Sequence, residues 1–222
     1  MTVLVAGGTG FLGTAVVREL VDSGWPVTAT WVEERERERL ADQSVELVRA
    51  DLFDAAAVDA AVGGVEELEA VVNLVGGYAE GPRVHETDPE EFDRLMQLNV
   101  KPCFLLARAA MPRLMERGSG AFVGVSARPA LRPFPGAAAY ISSKAAVLAL
   151  IQALDAEYKH DGIRCNAILP SVIDTPANRQ SQPNADFSKW VKPEEIAKVV
   201  RFLVSDDSAP LSGAAVPVYG RA

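Results

Sequence analysis

The sequence predicts an α/β protein: a doubly wound parallel sheet of about seven strands with helices on both faces. Three observations predict it. Short β-rich runs alternate with longer helical patterns along the whole chain. The strand-like runs are apolar throughout rather than alternating, as in strands covered on both sides. The first of them passes straight into a glycine-rich turn that opens a helix.

"TVLVAG" reads as a strand over residues 2–6, followed by glycines and a helix through Val21. "PVTATWV" is the second strand. "EERERERL" then opens a helix whose alternating charges mark a solvated face, with pairs such as Glu33–Arg37. "VELVRADL" is the third strand, "DAAAVDAAVGGV" a short helix and "LEAVVNLVG" the fourth strand. "DPEEFDRLMQLNVKPCFLLARAAMPRLMERG" reads as one long helix, and "GAFVGVSA" as the fifth strand. "GAAAYISSKAAVLALIQALDAEYKHDG" is a second long helix, with Gly162 as its C-cap. "IRCNAILP", the helical "KPEEIAKVVRFLVS" and the strand "AAVPVYG" complete the pattern. No linker or repeat divides it, so residues 1–222 are expected to form one domain.

Bulk properties exclude some functions. A net charge of -8, spread along the chain, argues against nucleic acid, which requires a basic face. Cys103 and Cys165 have no metal-ligand spacing and read as buried thiols of a reducing compartment. With only His85 and His160, no metal site or Ser-His-Asp triad is expected. "VLVAGG" follows Met1-Thr2 too closely for a signal peptide, and "AAVLALIQAL" is too short to span a bilayer. The expectation is a cytoplasmic protein without membrane contact.

"AGGTGFLG" places Gly7, Gly10 and Gly13 at G-x-x-G-x-x-G spacing, after a strand and before a helix. Glycine permits the tight turn and close approach of backbone N–H groups to a pyrophosphate, and the helix N-terminus adds its dipole. This is the phosphate turn of a Rossmann-type dinucleotide site, in which Thr9, Phe11 and Leu12 complete the loop. An acid ending the second strand would favour NAD, but Trp31 stands there. Arg35 is placed to meet a 2′-phosphate, so NADP(H) is favoured over NAD(H). Asp51, with Leu52 beside it, follows the third strand and is placed to bind the adenine.

Tyr140 and Lys144 are four apart on a predicted helix and share a face. A nearby ammonium favours the phenolate and lowers a tyrosine pKa, so Tyr140 could exchange a proton with a carbonyl or alcohol while a nicotinamide carries the hydride.

The chain resembles the short-chain dehydrogenase/reductase family over essentially its whole length. The resemblance rests on "AGGTGFLG", Asp51-Leu52, "NLVGG" from Asn73, Asn99 in "LNV", "YISSK", "LPSVIDTP" and "SGAAVPVYG". It implies that the turn from Asn73 through Val75 to Gly76 borders the cofactor. It further implies that Asn99 holds a water in a proton relay to Lys144, and that Pro170, Val172, Ile173 and Thr175 lie against the nicotinamide. A homodimer or homotetramer built on the two long helices is also implied.

Two departures stand out. The glycine spacing differs from the family's usual G-x-x-x-G-x-G. The family serine usually stands thirteen residues before the tyrosine, which is Ala127 here, with Ser126 one place earlier. Either Ala127 fills the position, or a bulge turns Ser126 into it. Both departures, together with "LPSVIDTPANRQSQPNADFSKW" and "GGYAEG", resemble the dihydropteridine-reductase-like branch. The substrate expected is therefore a small carbonyl or a quinonoid compound, such as a pterin. A quinonoid acceptor regains conjugation on reduction and depends less on a serine to polarise its oxygen. The polar, proline-punctuated stretch around 175–193 is expected to be a lid, with Phe187 and Trp190 capping a planar substrate. A non-catalytic nucleotide-binding regulator is the alternative.

Overall fold

In a computed structural model, residues 2–221 are described. The chain runs β1 (Thr2–Ala6), α1 (Phe11–Asp22), β2 (Val27–Trp31), α2 (Glu34–Arg37), β3 (Glu46–Arg49), α3 (Ala55–Gly63), β4 (Leu68–Asn73) and α4 (Pro89–Asn99). It continues with α5 (Lys101–Arg117), β5 (Gly120–Val125), α6 (Ala138–Tyr158), β6 (Ile163–Pro170), α7 (Pro176–Ser181), α8 (Pro193–Val204) and β7 (Ala215–Val218). The seven strands form one sheet in the order β3-β2-β1-β4-β5-β6-β7. Every pairing is parallel. The order reverses between β1 and β4, which puts a crevice at the carboxyl ends of those strands.

The sheet separates two apolar cores. On one face Leu4, Val71 and Phe122 pack against Leu106, Met111 and Ile151 of α5 and α6. On the other, Val3, Val72 and Val123 meet Val16 and Leu20 of α1 and Val200 and Leu203 of α8. Alternate residues of one strand thus point to opposite cores, which is why β1, β4 and β5 read as unbroken apolar runs. Each such side chain, fully buried, contributes roughly 1.5–3 kcal/mol.

Three expectations need correction. The long helix around residues 91–117 is two helices, because Pro102 has no N–H for the carbonyl one turn back and the ladder breaks at Val100. The charged run after β2 forms only a four-residue helix and a 3₁₀ turn, in which Arg37 pairs with Glu34 rather than Glu33. Residues 138–161 are, by length and composition, apolar enough to cross a membrane. In the fold, that helix lies instead along β5 and β6 and forms part of the core.

Candidate active site

The carboxyl ends of β1, β4, β5 and β6 open into one cavity of about 910 Å³. Gly7, Gly10, Phe11, Leu12 and Gly13 form one wall. The turn after β1 needs glycine for steric reasons. A Cβ on Gly13 would lie 2.1 Å from the Gly7 carbonyl oxygen, and Gly7 has φ +75°. The α1 N-cap is Gly10, which supplies no side-chain acceptor, and no acid occupies the first turn. The wall is therefore bare backbone at a helix N-terminus, which fits a pyrophosphate.

The opposite wall carries Tyr140 and Lys144, one helical turn apart on α6. Lys144 is buried and donates to the Val125 carbonyl at 3.1 Å, at the end of β5. An ammonium has three donors, so capacity remains toward the cavity, as ribose hydroxyls require. Burial lowers its pKa to about 8. Burial also pushes the Tyr140 phenol up to about 12. This corrects the expectation that the ammonium would lower it: Lys144 faces a strand carbonyl, and desolvation of the phenolate dominates. The Tyr140 phenol is consequently neutral at pH 7. The Tyr78 ring meets it edge to face, with centroids 4.9 Å apart.

Behind this pair lies a buried polar chain. The Asn99 side chain accepts from the Gly77 N–H at 2.8 Å and donates to the Gly77 carbonyl and the Ser143 hydroxyl. Ser143 in turn donates to the Tyr140 carbonyl at 2.7 Å. The Asn99 side chain is thus bonded to Gly77 on one side and Ser143 on the other. Asn73 closes the turn after β4 by accepting from the Val75 N–H, and Gly76 lines the cavity beyond it. A Cβ on Gly76 would fall 2.6 Å from Asn99 Oδ1 and 2.9 Å from Lys144 Nζ.

Ser126 and Ala127 both line the cavity. The Ser126 hydroxyl donates to the Lys144 carbonyl at 2.7 Å and is buried. Ala127 is the one that packs with Tyr140. The backbone is extended at Ala127 (φ -160°, ψ 154°), so neighbouring side chains diverge. Ser126 staples strand to helix, and Ala127 belongs to the buried cluster that contains Tyr140.

Pro170, Val172, Ile173 and Thr175 line the floor. The ends of the lid stretch are tied together: Val191 N–H donates to the Val172 carbonyl and Asp174 N–H to the Val191 carbonyl. Its inward residues are Asn178 and Gln182 of the segment containing α7. Phe187 and Trp190 are not in the wall. Trp190 is buried and packs on Phe187, over which Arg179 lies, so this pair anchors the loop.

At the adenine end the side chains differ from expectation. Arg35 is exposed, and among the described residues it makes no ion pair or hydrogen bond. The arginine at the glycine loop is Arg39, which donates to the Thr9 carbonyl at 2.8 Å and covers the Phe11 ring. Thr9 is buried, its hydroxyl on Glu36. Trp31 is flanked by Arg37 and Arg49. Asp51 accepts from the Phe53 N–H in its own turn, and Leu52 is buried. Tyr78, Glu80, Arg128, Arg132 and Phe134 line the outer cavity and were missed from the sequence. "LRPFPG" reads there as merely structural, and nothing local marks its arginine as facing a cavity.

Comparison with known proteins places this geometry. The family profile described as enoyl-(acyl carrier protein) reductase matches residues 9–220. The 2-(R)-hydroxypropyl-CoM dehydrogenase of Xanthobacter autotrophicus is 35% identical over 189 residues, 78% of this chain and 76% of that protein. The 3beta-hydroxysteroid dehydrogenase of Mediterraneibacter gnavus is 28% identical, covering 98% of this chain and 92% of that one. A solved short chain dehydrogenase/reductase family protein superposes with a TM-score of 0.91 at 29% identity, covering 99% of this chain and 96% of the other. With a glycine-lined phosphate wall facing a Tyr–Lys pair across the strand ends, the chain belongs to the short-chain dehydrogenase/reductase family of NAD(P)-dependent oxidoreductases.

Proposed function

We propose that the protein reduces a small carbonyl or quinonoid acceptor with Tyr140 as proton donor and NADP(H) favoured over NAD(H). The observation that carries the reading is the neutral, cavity-facing phenol of Tyr140, one turn from a buried lysine. The bound dinucleotide supplies the hydride. The chain's own residues do the rest. The glycine wall holds the phosphates, and Lys144 holds the ribose. Tyr140 gives its proton to the acceptor atom. Arg49 beside the Trp31 ring, with no acid ending β2, supports the preference for NADP(H).

Within this reading, a dihydropteridine-reductase-like activity is favoured because Ala127 stands beside Tyr140 and Ser126 is turned to a carbonyl. A ketone needs its oxygen held by two donors; a quinonoid ring needs alignment and one proton. The exposed Phe92 and Phe104 on α4 and α5 favour a homo-oligomer.

The test is loss of nicotinamide absorbance with NADH and NADPH in parallel, using a quinonoid dihydropterin and a panel of ketones. Turnover of the quinonoid compound, faster with NADPH, lost in Tyr140→Phe and little changed in Ala127→Ser, is expected. Ketone turnover that depends on Ser126 would overturn the quinonoid reading. One relative favours a second reading, a non-catalytic binding protein: the inactive 2-(S)-hydroxypropyl-CoM dehydrogenase 2 of Xanthobacter autotrophicus is 35% identical over 191 residues. Absence of any Tyr140-dependent turnover would decide for it.

A further inference from the structure

We propose that the outer half of the cavity is an oxyanion subsite, where Arg128 and Arg132 receive a carboxylate, sulfonate or phosphate group carried by the substrate. The inference rests on the reductase reading and names the class of acceptor within it.

Both arginines line the cavity that holds Tyr140. They lie on one short turn after β5, in which the Arg132 N–H donates to the Arg128 carbonyl at 3.0 Å. That closes one helical turn, and residues four apart on such a turn lie on the same side. Pro129 follows the first arginine and Pro133 the second. Fixed proline φ angles stiffen the turn, so little ordering remains to be done on binding.

The state of the two guanidinium groups is the main observation. The chain is acidic, with 30 Asp and Glu against 22 Lys and Arg. Carboxylates are plentiful, and eight other arginines are ion-paired, Arg179 with Asp174 among them. Arg164 is spent on carbonyls at the end of α8. Among the described residues, Arg128 and Arg132 have no ion pair and no side-chain hydrogen bond. Arg128 is steadied only by the Tyr219 ring, 5.1 Å below its guanidinium carbon. The one acid on this wall, Glu80, already accepts the Tyr78 hydroxyl proton. Two forks remain, with ten N–H donors of the geometry that matches an oxyanion. Tyr78, which packs on Tyr140, and Phe134 line the same cavity, so the substrate body is apolar or flat and its charge lies at one end. The anion is not transformed. It is a handle that orients the reducible carbon.

The experiment compares 4-formylbenzoate and pyruvate with their uncharged methyl esters, and a carboxylated with an uncarboxylated quinonoid dihydropterin. kcat/KM is measured in each pair, and calorimetry gives the Kd of 4-formylbenzoate and its ester. At least a tenfold preference for the anion in one or more pairs is expected, falling as salt is raised. Arg128→Met and Arg132→Met should each cut it severalfold and together bring it near one, while the lysine variants retain part of it. Equal or better use of the neutral member in every pair would overturn the proposal, as would a preference that survives both methionine replacements. If no acceptor is turned over, the reductase reading has failed. The calorimetric pair still decides the subsite, since equal binding, or binding of neither probe, overturns it.

Discussion

At the cavity floor, Ser126 and Lys144 in its wall and Asn99 and Ser143 behind it are at most 6% exposed, and each makes a hydrogen bond to backbone or to a buried neighbour. At the rim, Tyr78 and Phe134 are 45% and 39% exposed, and the exposed Arg132 side chain has no partner among the described residues. Floor residues come from strand ends and from helices locked into the sheet. Rim residues come from loops that touch little else. The difference separates two jobs: a floor that is buried and satisfied fixes the chemistry, and a rim free of packing duties can be shaped around one substrate.

The sharpest way to break this comparison is Tyr140→Phe. Removing the one proton donor should lower kcat by about 10²–10⁴-fold while the dinucleotide still binds, as read by fluorescence titration. Next is Asn99→Ala, which strands the Gly77 N–H and carbonyl and the Ser143 hydroxyl. We expect about 2–3 kcal/mol of lost stability in urea denaturation, with kcat falling because α6 loses its brace.

Lys144 gives a pH test. Its folded pKa of about 8 lies below the ordinary 10.5. Between those values the unfolded chain binds more protons, so this group makes stability rise with pH, and the penalty of its buried charge is fully present below about 8. The raised thiols and phenols act oppositely. Cys103, raised to about 11, resists ionising above the ordinary thiol value, and Tyr140, raised to about 12, resists it above 10. Both make stability fall with alkali. Measuring Lys144→Met against the parent between pH 8 and 9.5 cancels those terms and should show a slope difference of about 1 kcal/mol per pH unit. The smallest effect belongs to the rim: Leu131, 53% exposed, should change stability by about 0.5 kcal/mol or less when replaced by alanine. A large loss there would mean that the rim is part of the scaffold after all.

Much of the floor was legible because its signals are local. Gly7, Gly10 and Gly13 answer to turn geometry, and Tyr140 and Lys144 to helical spacing. The strand runs are uniformly apolar because both faces are covered. What escaped depends on partners distant in sequence. Arg39, not Arg35, reaches the glycine loop, and four residues of charged helix contain no mark that separates them. Whether Ser126 or Ala127 meets Tyr140 depends on the path of the chain leaving β5. Phe187 and Trp190 look like a lid's inner face until the Val172–Val191 tie shows them fastening its base. Arg128 and Arg132 stand out only once the cavity wall is known, because they are the two arginines that line it. The break at Val100 was visible in Pro102, but the apolar pattern on either side of it masked the interruption.

The clasp of Asn99 around Gly77 has a consequence for motion. Gly77 belongs to no strand, yet its amide is held by a buried side chain that also grips, through Ser143, the turn carrying Tyr140. Its hydrogen should therefore exchange with solvent as slowly as those of the central strands, on the timescale of global opening. A molecule entering beside Gly76 and Gly77 would press on a segment that reaches, through Asn99 and Ser143, the backbone carbonyl of Tyr140.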